Sequence, residues 1–165
     1  MEREKTSAIA WWQSIAKKDM TRLERDFENY IVKDSLDFLN GSKAKSWGAE
    51  LQTYWSIENE KFIGMIELRP HLATPFIREI AGHMGAVLSP SACGRGIGIE
   101  VIEKARPLLK KMGLNRFMVT CNVHNYPSQR TIEKAVARFG GAYESTVERD
   151  YDGVHWHTMR FWINS

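Results

Sequence analysis

Three glycines and an arginine lie close together in residues 89–98, SPSACGRGIG, between an apolar strand-like stretch and a strongly helical one. A helix N-terminus presents unpaired backbone N–H groups and the positive end of the helix dipole. Both favour an anion such as a diphosphate. Glycine lets such a ligand approach the backbone closely and permits positive φ angles. The segment therefore predicts an anion-binding loop that opens a helix.

Two common nucleotide-binding fingerprints do not fit this loop. The dinucleotide pattern Gly-x-Gly-x-x-Gly requires its third glycine one position after Gly98, and the Gly-Lys-Ser/Thr of a Walker loop is missing. A tight strand-to-helix turn without any ligand is the alternative that the local pattern leaves open.

The composition limits the class of protein. The 165 residues, 43% apolar and 26% charged, are typical of one globular domain with a substantial core. A formal charge of +3 does not by itself argue for a nucleic acid partner, and no apolar run is long enough to cross a bilayer. We therefore expect no nucleic acid and no membrane among the partners.

The cysteines and the N-terminus bear on location. Cys93 and Cys121 are the two cysteines, which predicts neither a disulfide framework nor a zinc site. Residues 1–5, MEREK, lack the apolar segment of a signal peptide. We expect a cytoplasmic protein without a bound metal.

The pattern of apolar residues predicts helices first, then antiparallel strands, a β-α-β-α unit and a closing hairpin. This order favours a mixed sheet with helices on both sides. The predicted elements are helices within residues 1–40, strands at 52–57, 61–68, 80–88 and 116–121, helices at 99–113 and 126–140, and a hairpin of 142–149 and 155–163.

Several motifs occur in a specific order along the chain. Residues 93–98, CGRGIG, are followed by residues 119–130, VTCNVHNYPSQR, and preceded by residues 82–85, GHMG, and 66–69, IELR. The first resembles the Gln/Arg-x-x-Gly-x-Gly/Ala loop, and the second the Asn-x-x-Ser/Ala segment, of the GNAT superfamily of acetyl-CoA-dependent N-acetyltransferases. The last two look most like a bacterial branch of uncharacterised acetyltransferases. The resemblance covers about residues 62–163.

This resemblance implies an α/β (α+β) GNAT fold. Its sheet is mixed and mostly antiparallel, with about six to seven strands, helices on both faces, and a splay between the family's fourth and fifth strands. Here those strands are residues 82–88 and 116–121. The pantetheine arm of acetyl-CoA is expected in the gap. Residues 1–165 form one domain in this interpretation, with 1–50 on the acceptor side and 51–165 as the acetyl-CoA-binding core.

The resemblance also implies which residues bind acetyl-CoA. Backbone N–H groups cradle the pyrophosphate, Arg95 adds a charge-assisted contact, and a backbone N–H of the fourth strand polarises the thioester carbonyl. Asn125 and Ser128 are alternatively plain helix caps, and Arg130 is alternatively solvated. The residues assigned to the cofactor are Val87, Leu88, Cys93, Gly94, Arg95, Gly96, Ile97, Gly98, Asn125, Ser128 and Arg130.

Two positions depart from the family pattern. Cys93 stands where the family usually has Gln or Arg, so the loop loses a side-chain donor but keeps its backbone. Ile132 stands where many members have a tyrosine that protonates the leaving thiolate. Tyr126 is the remaining candidate acid, although a coenzyme A thiolate can leave without one.

Acetylation of an amine requires a base that removes a proton from the nitrogen. The candidates are Glu67, Glu79 and His83, with Glu79 and His83 expected on one strand face by period-two spacing. A structural histidine at His83, and an ion pair of Glu67 with Arg69, are the alternatives. His155 and His157 are expected to line the acceptor pocket rather than to bind a metal.

The acceptor is expected to be a primary amine of a small molecule or protein, acetylated directly in a ternary complex. Acidic residues and tryptophans in the segments that build the acceptor site suit a cationic or amphipathic amine. Those tryptophans are Trp11, Trp12, Trp47, Trp55 and Trp156. The oligomeric state is left open between a monomer and a homodimer.

Two other classes of function remain as alternatives. One is a non-catalytic GNAT-like module that binds acyl-CoA and regulates or scaffolds. The other is an RNA-binding protein, although its basic residues fit the exposed face of an ordinary helix better. That patch consists of Lys104, Arg106, Lys110, Lys111 and Arg116.

Overall fold

A computed structural model of the chain describes residues 45–46, 49–58 and 61–165. The elements in chain order are β1 (Lys45–Ser46), β2 (Ala49–Glu50), β3 (Gln52–Glu58), β4 (Lys61–Leu68), β5 (Met84–Leu88), α1 (Ile97–Lys111), β6 (Arg116–Asn122), α2 (Tyr126–Phe139), β7 (Gly141–Tyr151) and β8 (Val154–Asn164). Neither described helix is long and apolar enough to span a membrane.

Six strands form one mixed sheet in the order β3-β4-β5-β6-β8-β7, and β1 pairs separately with β2. Every neighbouring pair in the large sheet is antiparallel except β5 and β6, which are parallel. The helix α1 connects these two strands, as a parallel pair requires a crossover. The predicted mixed, mostly antiparallel sheet of about six to seven strands is confirmed, with six strands in the described chain.

The main core lies between one face of this sheet and both described α-helices. Residues of α1 at helical spacing are buried there, among them Val101, Ala105 and Leu109. Alternate residues of the strands meet them, because side chains along a strand point to opposite faces. These strand residues include Ile66, Leu68, Met84, Phe117, Val119, Cys121, Phe161 and Ile163.

The opposite face of the sheet carries a single π-helical turn, Ile77–Ala81, just before β5. Phe76 packs edge-on against Trp156 of β8, with ring centroids 5.5 Å apart. The Thr120 hydroxyl donates to the Ile80 carbonyl at 2.5 Å and fixes the turn on β6. The helices predicted within residues 1–40, and with them Trp11, Trp12 and Trp47, lie outside the described residues.

One predicted element is wrong at its N-terminal end. The strand expected from Ile80 begins at Met84, and the preceding residues form the π-helical turn. Gly82 ends this turn with φ of +70° and donates its N–H to the Ile77 carbonyl. Glu79 and His83 therefore do not share a strand face: Glu79 lies in the turn and His83 immediately before β5.

Candidate functional site

Strands β5 and β6 are paired where β5 begins, opposite the middle of β6, and then separate. Their ladder has one registered pair, Met84 with Val119, next to a hydrogen bond from the His83 N–H to the Met118 carbonyl at 2.9 Å. From Gly85 to Leu88, β5 pairs only with β4 within the described chain. The backbone groups of this stretch that face β6 are therefore without a strand partner.

The open end of this splay is bordered by two helix N-termini. Because β5 and β6 are parallel, the chain leaves both at the same edge of the sheet. After β5, a 3-10 turn of Pro90–Ala92 leads to α1, and after β6 a short loop leads to Asn125 and α2. The two helices are close here, since a Cβ on Gly98 would lie 3.0 Å from Cγ2 of Thr131.

The glycine loop before α1 has the geometry of an anion cradle. Gly96 is the N-cap of α1 with φ of +83°, and nothing lies within 4 Å of a Cβ built on Gly94 or Gly96. Within the described residues, the N–H groups of Gly94, Gly96, Ile97 and Gly98 enter none of the backbone hydrogen bonds around the loop. Open space in front of unused amides at a helix N-terminus suits a phosphate group.

The side chains of Arg95 and Cys93 in this loop are bonded to other protein groups instead of facing an anion in the cradle. Arg95 forms a two-point ion pair with Glu58 at the end of β3, with N···O distances of 2.7 and 2.9 Å. Cys93 is exposed, and its thiol donates to the Ser89 carbonyl at a distance of 3.4 Å. The charge of Arg95 is thus shared with a carboxylate, and the cradle consists of backbone groups.

The residues assigned to the other side of the cofactor lie at the start of α2. Asn125 is the N-cap, and its Oδ1 accepts the Ser128 N–H at 3.2 Å. This leaves the Asn125 amide nitrogen outside the cap. Arg130 and Tyr126 are exposed, Tyr126 to 61%, so both side chains are accessible beside the open end of the splay.

The position expected for the catalytic tyrosine belongs to the core. Ile132 is 2% exposed and packs in the main hydrophobic cluster. Nearby Cys121 is also buried, and burial raises the pKa of its thiol to about 12 although the Ser128 hydroxyl acts in the opposite direction. Neither side chain can act as an acid toward a leaving thiolate.

Of the three candidate bases, Glu67 lies nearest the splay. It pairs with Gly85 across β4 and β5, on the face opposite the α-helices, and its carboxylate accepts from Nη2 of Arg69. The Glu67 side chain is 25% exposed, whereas Arg69 is 2% exposed. A ligand reaching this face would therefore meet the carboxylate first.

His83 and Glu79 are already engaged by the fold. His83 is 5% exposed, and its Nδ1 accepts the Met118 N–H at 2.9 Å. Burial, together with the positive charges of His71 and Arg69, lowers the pKa of His83 to about 4. Glu79 accepts hydrogen bonds from Nε of Arg149 at 2.5 Å and from the Tyr151 hydroxyl at 3.2 Å.

The remaining polar clusters are surface features. His155 and His157 pair with Asp150 and Glu148 across the β7–β8 hairpin, and Trp156 points to the opposite face and is buried. Among the described side chains, no group of three or more His, Cys, Asp or Glu residues is arranged to hold a metal ion.

Two of the basic residues considered for RNA binding, Arg106 and Arg116, form contacts within the fold. The Arg106 guanidinium lies over the Phe139 ring and donates to the Asn164 carbonyl, and Arg116 lies over the Trp162 ring. These contacts favour the interpretation of the patch as ordinary helix and strand surface.

Two functional candidates were not predicted. Glu58 is one, because its pairing with Arg95 joins residues far apart in sequence. Arg69 is the other, since it was considered only as a surface partner of Glu67 and is in fact buried. The sequence signal for Arg69 was its place one residue beyond an apolar strand, which does not distinguish a buried from a solvated guanidinium.

Comparison with known proteins shows which family and which solved structures the chain is similar to. A family model described as "Acetyltransferase (GNAT) domain" matches residues 5–137. No curated protein matches the chain. Among solved structures, a ribosomal-protein-alanine N-acetyltransferase from Brucella melitensis shares 12% identity with a TM-score of 0.58, over 85% of this chain and 79% of that one.

Two further solved structures are similar in fold. The yncA protein of Salmonella typhimurium, determined with its cofactor acetyl-CoA, has 13% identity and a TM-score of 0.56 over 84% of this chain and 73% of its own. A mutant of the spermidine N-acetyltransferase SpeG from Vibrio cholerae has 17% identity and a TM-score of 0.53, over 79% and 74%. At these identities the similarity establishes the fold.

Proposed function

The chain belongs to the GNAT family of acetyltransferases and is an acyltransferase, and on this premise we propose that it transfers an acetyl group from acetyl-CoA to a primary amine. The acceptor amine belongs to a small molecule or a protein, and transfer occurs directly in a ternary complex.

One observation carries the proposal. Strands β5 and β6 are joined only at Met84 and Val119, and the gap beyond them opens toward the unused amides of the loop before α1. A gap between strands offers hydrogen-bonding backbone to the amide groups of a pantetheine arm, and the loop offers N–H groups to a diphosphate. The pantetheine arm and the diphosphate of acetyl-CoA thus each have complementary backbone groups near the open end of the splay.

Acetyl-CoA supplies the activated acetyl group as a thioester. In the proposed reaction the amine nitrogen forms a bond to the acetyl carbon, the bond from that carbon to sulfur breaks, and coenzyme A leaves as a thiol. The proton lost by the amine goes to a base, and the thiolate takes up one proton. The fold contributes mainly by holding the two reactants together.

The chain's own residues have separate roles in this scheme. A backbone N–H of β5 on the side facing β6 donates to the thioester oxygen. Of Val87 and Leu88 we assign this role to Leu88, because the hydrogen bond from the Ser89 N–H to the Ile63 carbonyl sets an alternation in which Val87 faces β4. Glu67 accepts the amine proton, directly or through water, because its partly exposed carboxylate borders Gly85 at the start of the splay. Tyr126 is accessible as an acid, but a thiolate leaves readily without one.

Binding of acetyl-CoA is tested by thermal unfolding. At a ligand concentration of 100 times Kd, the stabilisation is about 2.7 kcal/mol and appears as a rise in Tm. Replacement Gly96→Glu places a bulky anion in the cradle and is expected to abolish this rise. Gly113→Glu is the matched control, because Gly113 also has positive φ with open space around it, at the opposite end of α1. An unchanged rise in Gly96→Glu would place the cofactor elsewhere.

Catalysis is tested separately by amine-dependent release of the coenzyme A thiol. A panel of amino acids, peptides, polyamines and aminoglycosides is incubated with the protein and acetyl-CoA. Thiol release that needs both substrates supports the transferase. Binding of acetyl-CoA without release from any amine would support the non-catalytic module.

A further inference from the structure

The Arg69 side chain is buried at the start of the splay. Its backbone N–H donates to the His83 carbonyl at 2.8 Å, which extends the β4–β5 ladder by one step. A Cβ on Gly85 would lie 3.5 Å from Nη1 of Arg69 and 3.8 Å from Oε2 of Glu67. The guanidinium and the carboxylate therefore lie side by side over Gly85, the first residue of β5 beyond its pairing with β6.

Only part of the guanidinium has a partner. Nη2 of Arg69 donates to Glu67, whereas Nε and Nη1 are buried and have no acceptor among the residues that the structure describes. A buried polar group without a hydrogen bond is costly, and native structures rarely leave a charged one in this state. Because both atoms are buried, an incoming oxygen atom reaches them only when the side chains around them move, and it then completes their hydrogen bonding.

We propose that Arg69 determines acceptor specificity, by binding an oxygen of a carbonyl or carboxylate group that is attached to the amine-bearing carbon of the acceptor. This inference rests on the proposed function. It names the class of amine: an α-amino acid or the N-terminus of a peptide, which share the α-amino carbonyl group.

The charges of Glu67 and Arg69 complement the two polar parts of an α-amino carbonyl group. Glu67 offers a partly exposed carboxylate to the amine, and Arg69 offers N–H donors to the carbonyl oxygen, which is three bonds from the amine nitrogen. Because the carboxylate of Glu67 is already paired with Arg69, this part of the face has no excess negative charge for a polycation. A polyamine or a lysine side chain has no carbonyl beside its amine and would leave the Arg69 donors unpaired.

Position supports the same assignment. Glu67 and Arg69 lie on the sheet face opposite α1 and α2, whose N-termini border the proposed groove for acetyl-CoA. An acceptor approaching from this face would meet the thioester at the first unpaired residues of β5. Its amine would then lie between Glu67 and the thioester carbon.

The test compares acceptors with and without a carbonyl group on the amine-bearing carbon. The probes are L-alaninamide, L-alanine, an alanyl tripeptide and sec-butylamine, which lacks the carbonyl, with spermidine as a polyamine. We expect kcat/KM, calculated on the concentration of unprotonated amine because sec-butylamine is the stronger base, to be more than tenfold higher for at least one α-amino carbonyl probe than for sec-butylamine, since a site built to bond an oxygen rejects an analogue without it. Alanine against the tripeptide distinguishes a free amino acid from a peptide N-terminus.

The same ratio is then measured in variants. Arg69→Met keeps the length and removes the donors, so the preference should fall to below about threefold while binding of acetyl-CoA is retained. Arg160→Met is the matched control. Arg160 also has a buried Nε without an acceptor and an ion pair with a carboxylate, Glu144, but it lies on β8. Its preference should equal that of the wild type.

The outcomes distinguish failure of the inference about Arg69 from failure of the proposed function. Acetylation of spermidine or sec-butylamine in preference to every α-amino carbonyl probe would overturn this inference and leave the proposed function intact. So would a preference that survives in Arg69→Met, which is the result expected if water satisfies the guanidinium. Failure to bind acetyl-CoA would instead overturn the proposed function. If Arg69→Met does not fold, retention of the preference in Arg69→Gln, which lacks the charge and the fork of donors, overturns the inference.

Discussion

Both carboxylate oxygens of Glu58 accept hydrogen bonds from the Arg95 guanidinium, at 2.7 and 2.9 Å. These hydrogen bonds lower the pKa of Glu58 and raise that of Arg95 from their ordinary values. The side chain expected to contact the diphosphate is thus held at the end of β3 by a carboxylate, which competes for the same donors.

Removing this competing charge should strengthen cofactor binding. In Glu58→Gln the side chain keeps its size but no longer neutralises Arg95, so the Kd for acetyl-CoA should fall on the order of two- to fivefold, the range expected of an exposed ion pair. Glu103→Gln, which breaks a similarly exposed pair with Arg138 between the helices, should leave the Kd unchanged. Titration calorimetry at low and high salt provides the measurement, and the gain should shrink at high salt. Weaker binding in Glu58→Gln would mean that the ion pair organises the loop.

Stability should decrease at acidic pH because of His83. Its pKa in the folded protein is about 4, against 6.5 for the ordinary side chain. Between these values the unfolded chain binds a proton that the folded chain does not. The free energy of unfolding therefore falls as the pH falls from about 6.5 to about 4, by up to about 1.4 kcal/mol per pH unit. Above this range the contribution of His83 is constant.

The variant His83→Asn isolates this effect. The amide oxygen can replace Nδ1 as acceptor for the Met118 N–H, but it does not titrate in this range. Urea unfolding at pH 7.5, 6 and 5 should show a smaller loss of stability in His83→Asn than in the wild type. His124→Asn, at a half-exposed histidine, serves as the control. Equal pH slopes in all three proteins would contradict the burial of a neutral imidazole.

Gly82, which ends the π-helical turn before β5, should tolerate a side chain poorly. Its φ of +70° and ψ of −170° define a region that only glycine enters readily, and a Cβ would lie 2.7 Å from the Met118 carbonyl oxygen. Gly82→Ala should therefore lose about 3 kcal/mol or more from strain and collision together.

The matched control for this prediction is Gly153→Ala. Gly153 has φ of +73°, but nothing lies within 4 Å of its Cβ position. Only backbone strain remains there, so the loss should be about 1 kcal/mol. Denaturation midpoints of the two variants at one pH give the comparison, and similar losses would show that β6 moves easily away from Gly82.

The sequence predicted those features that depend on neighbouring residues. The apolar stripe of α1, the glycines at its start and the cap Asn125 are local signals, and each is found where the pattern placed it. Residues 80–83 were wrongly given to a strand because a short apolar run does not distinguish a strand from a helical turn. The pairing of Arg95 with Glu58 and the burial of Arg69 depend on which strands become neighbours, and no spacing within one segment encodes that.

The two cysteines should differ sharply in reactivity. Cys93 is exposed in the loop, whereas Cys121 is buried and its pKa is raised to about 12. Because the thiolate is the reactive form, a thiol reagent at pH 8 should label one cysteine in the native protein and two in urea. Acetyl-CoA should slow the native labelling, as its diphosphate would cover the loop. The fast phase should be absent in Cys93→Ser, and labelling that acetyl-CoA does not affect would contradict the assigned position of the diphosphate.

Asn125 has two assigned roles that one substitution can separate. As the N-cap of α2 it uses only Oδ1, and as a contact to acetyl-CoA it would use its amide nitrogen. Asn125→Asp keeps an oxygen for the Ser128 N–H and places a negative charge at a helix N-terminus, so stability should be maintained. The same change removes the N–H donor and adds charge beside an anionic ligand, so the Kd for acetyl-CoA should rise about tenfold or more.

Asn125→Ala should instead lose about 1 kcal/mol of stability as well as affinity. Thermal unfolding with and without acetyl-CoA measures both quantities in each variant. An Asp variant that binds acetyl-CoA as the wild type does would limit Asn125 to capping α2.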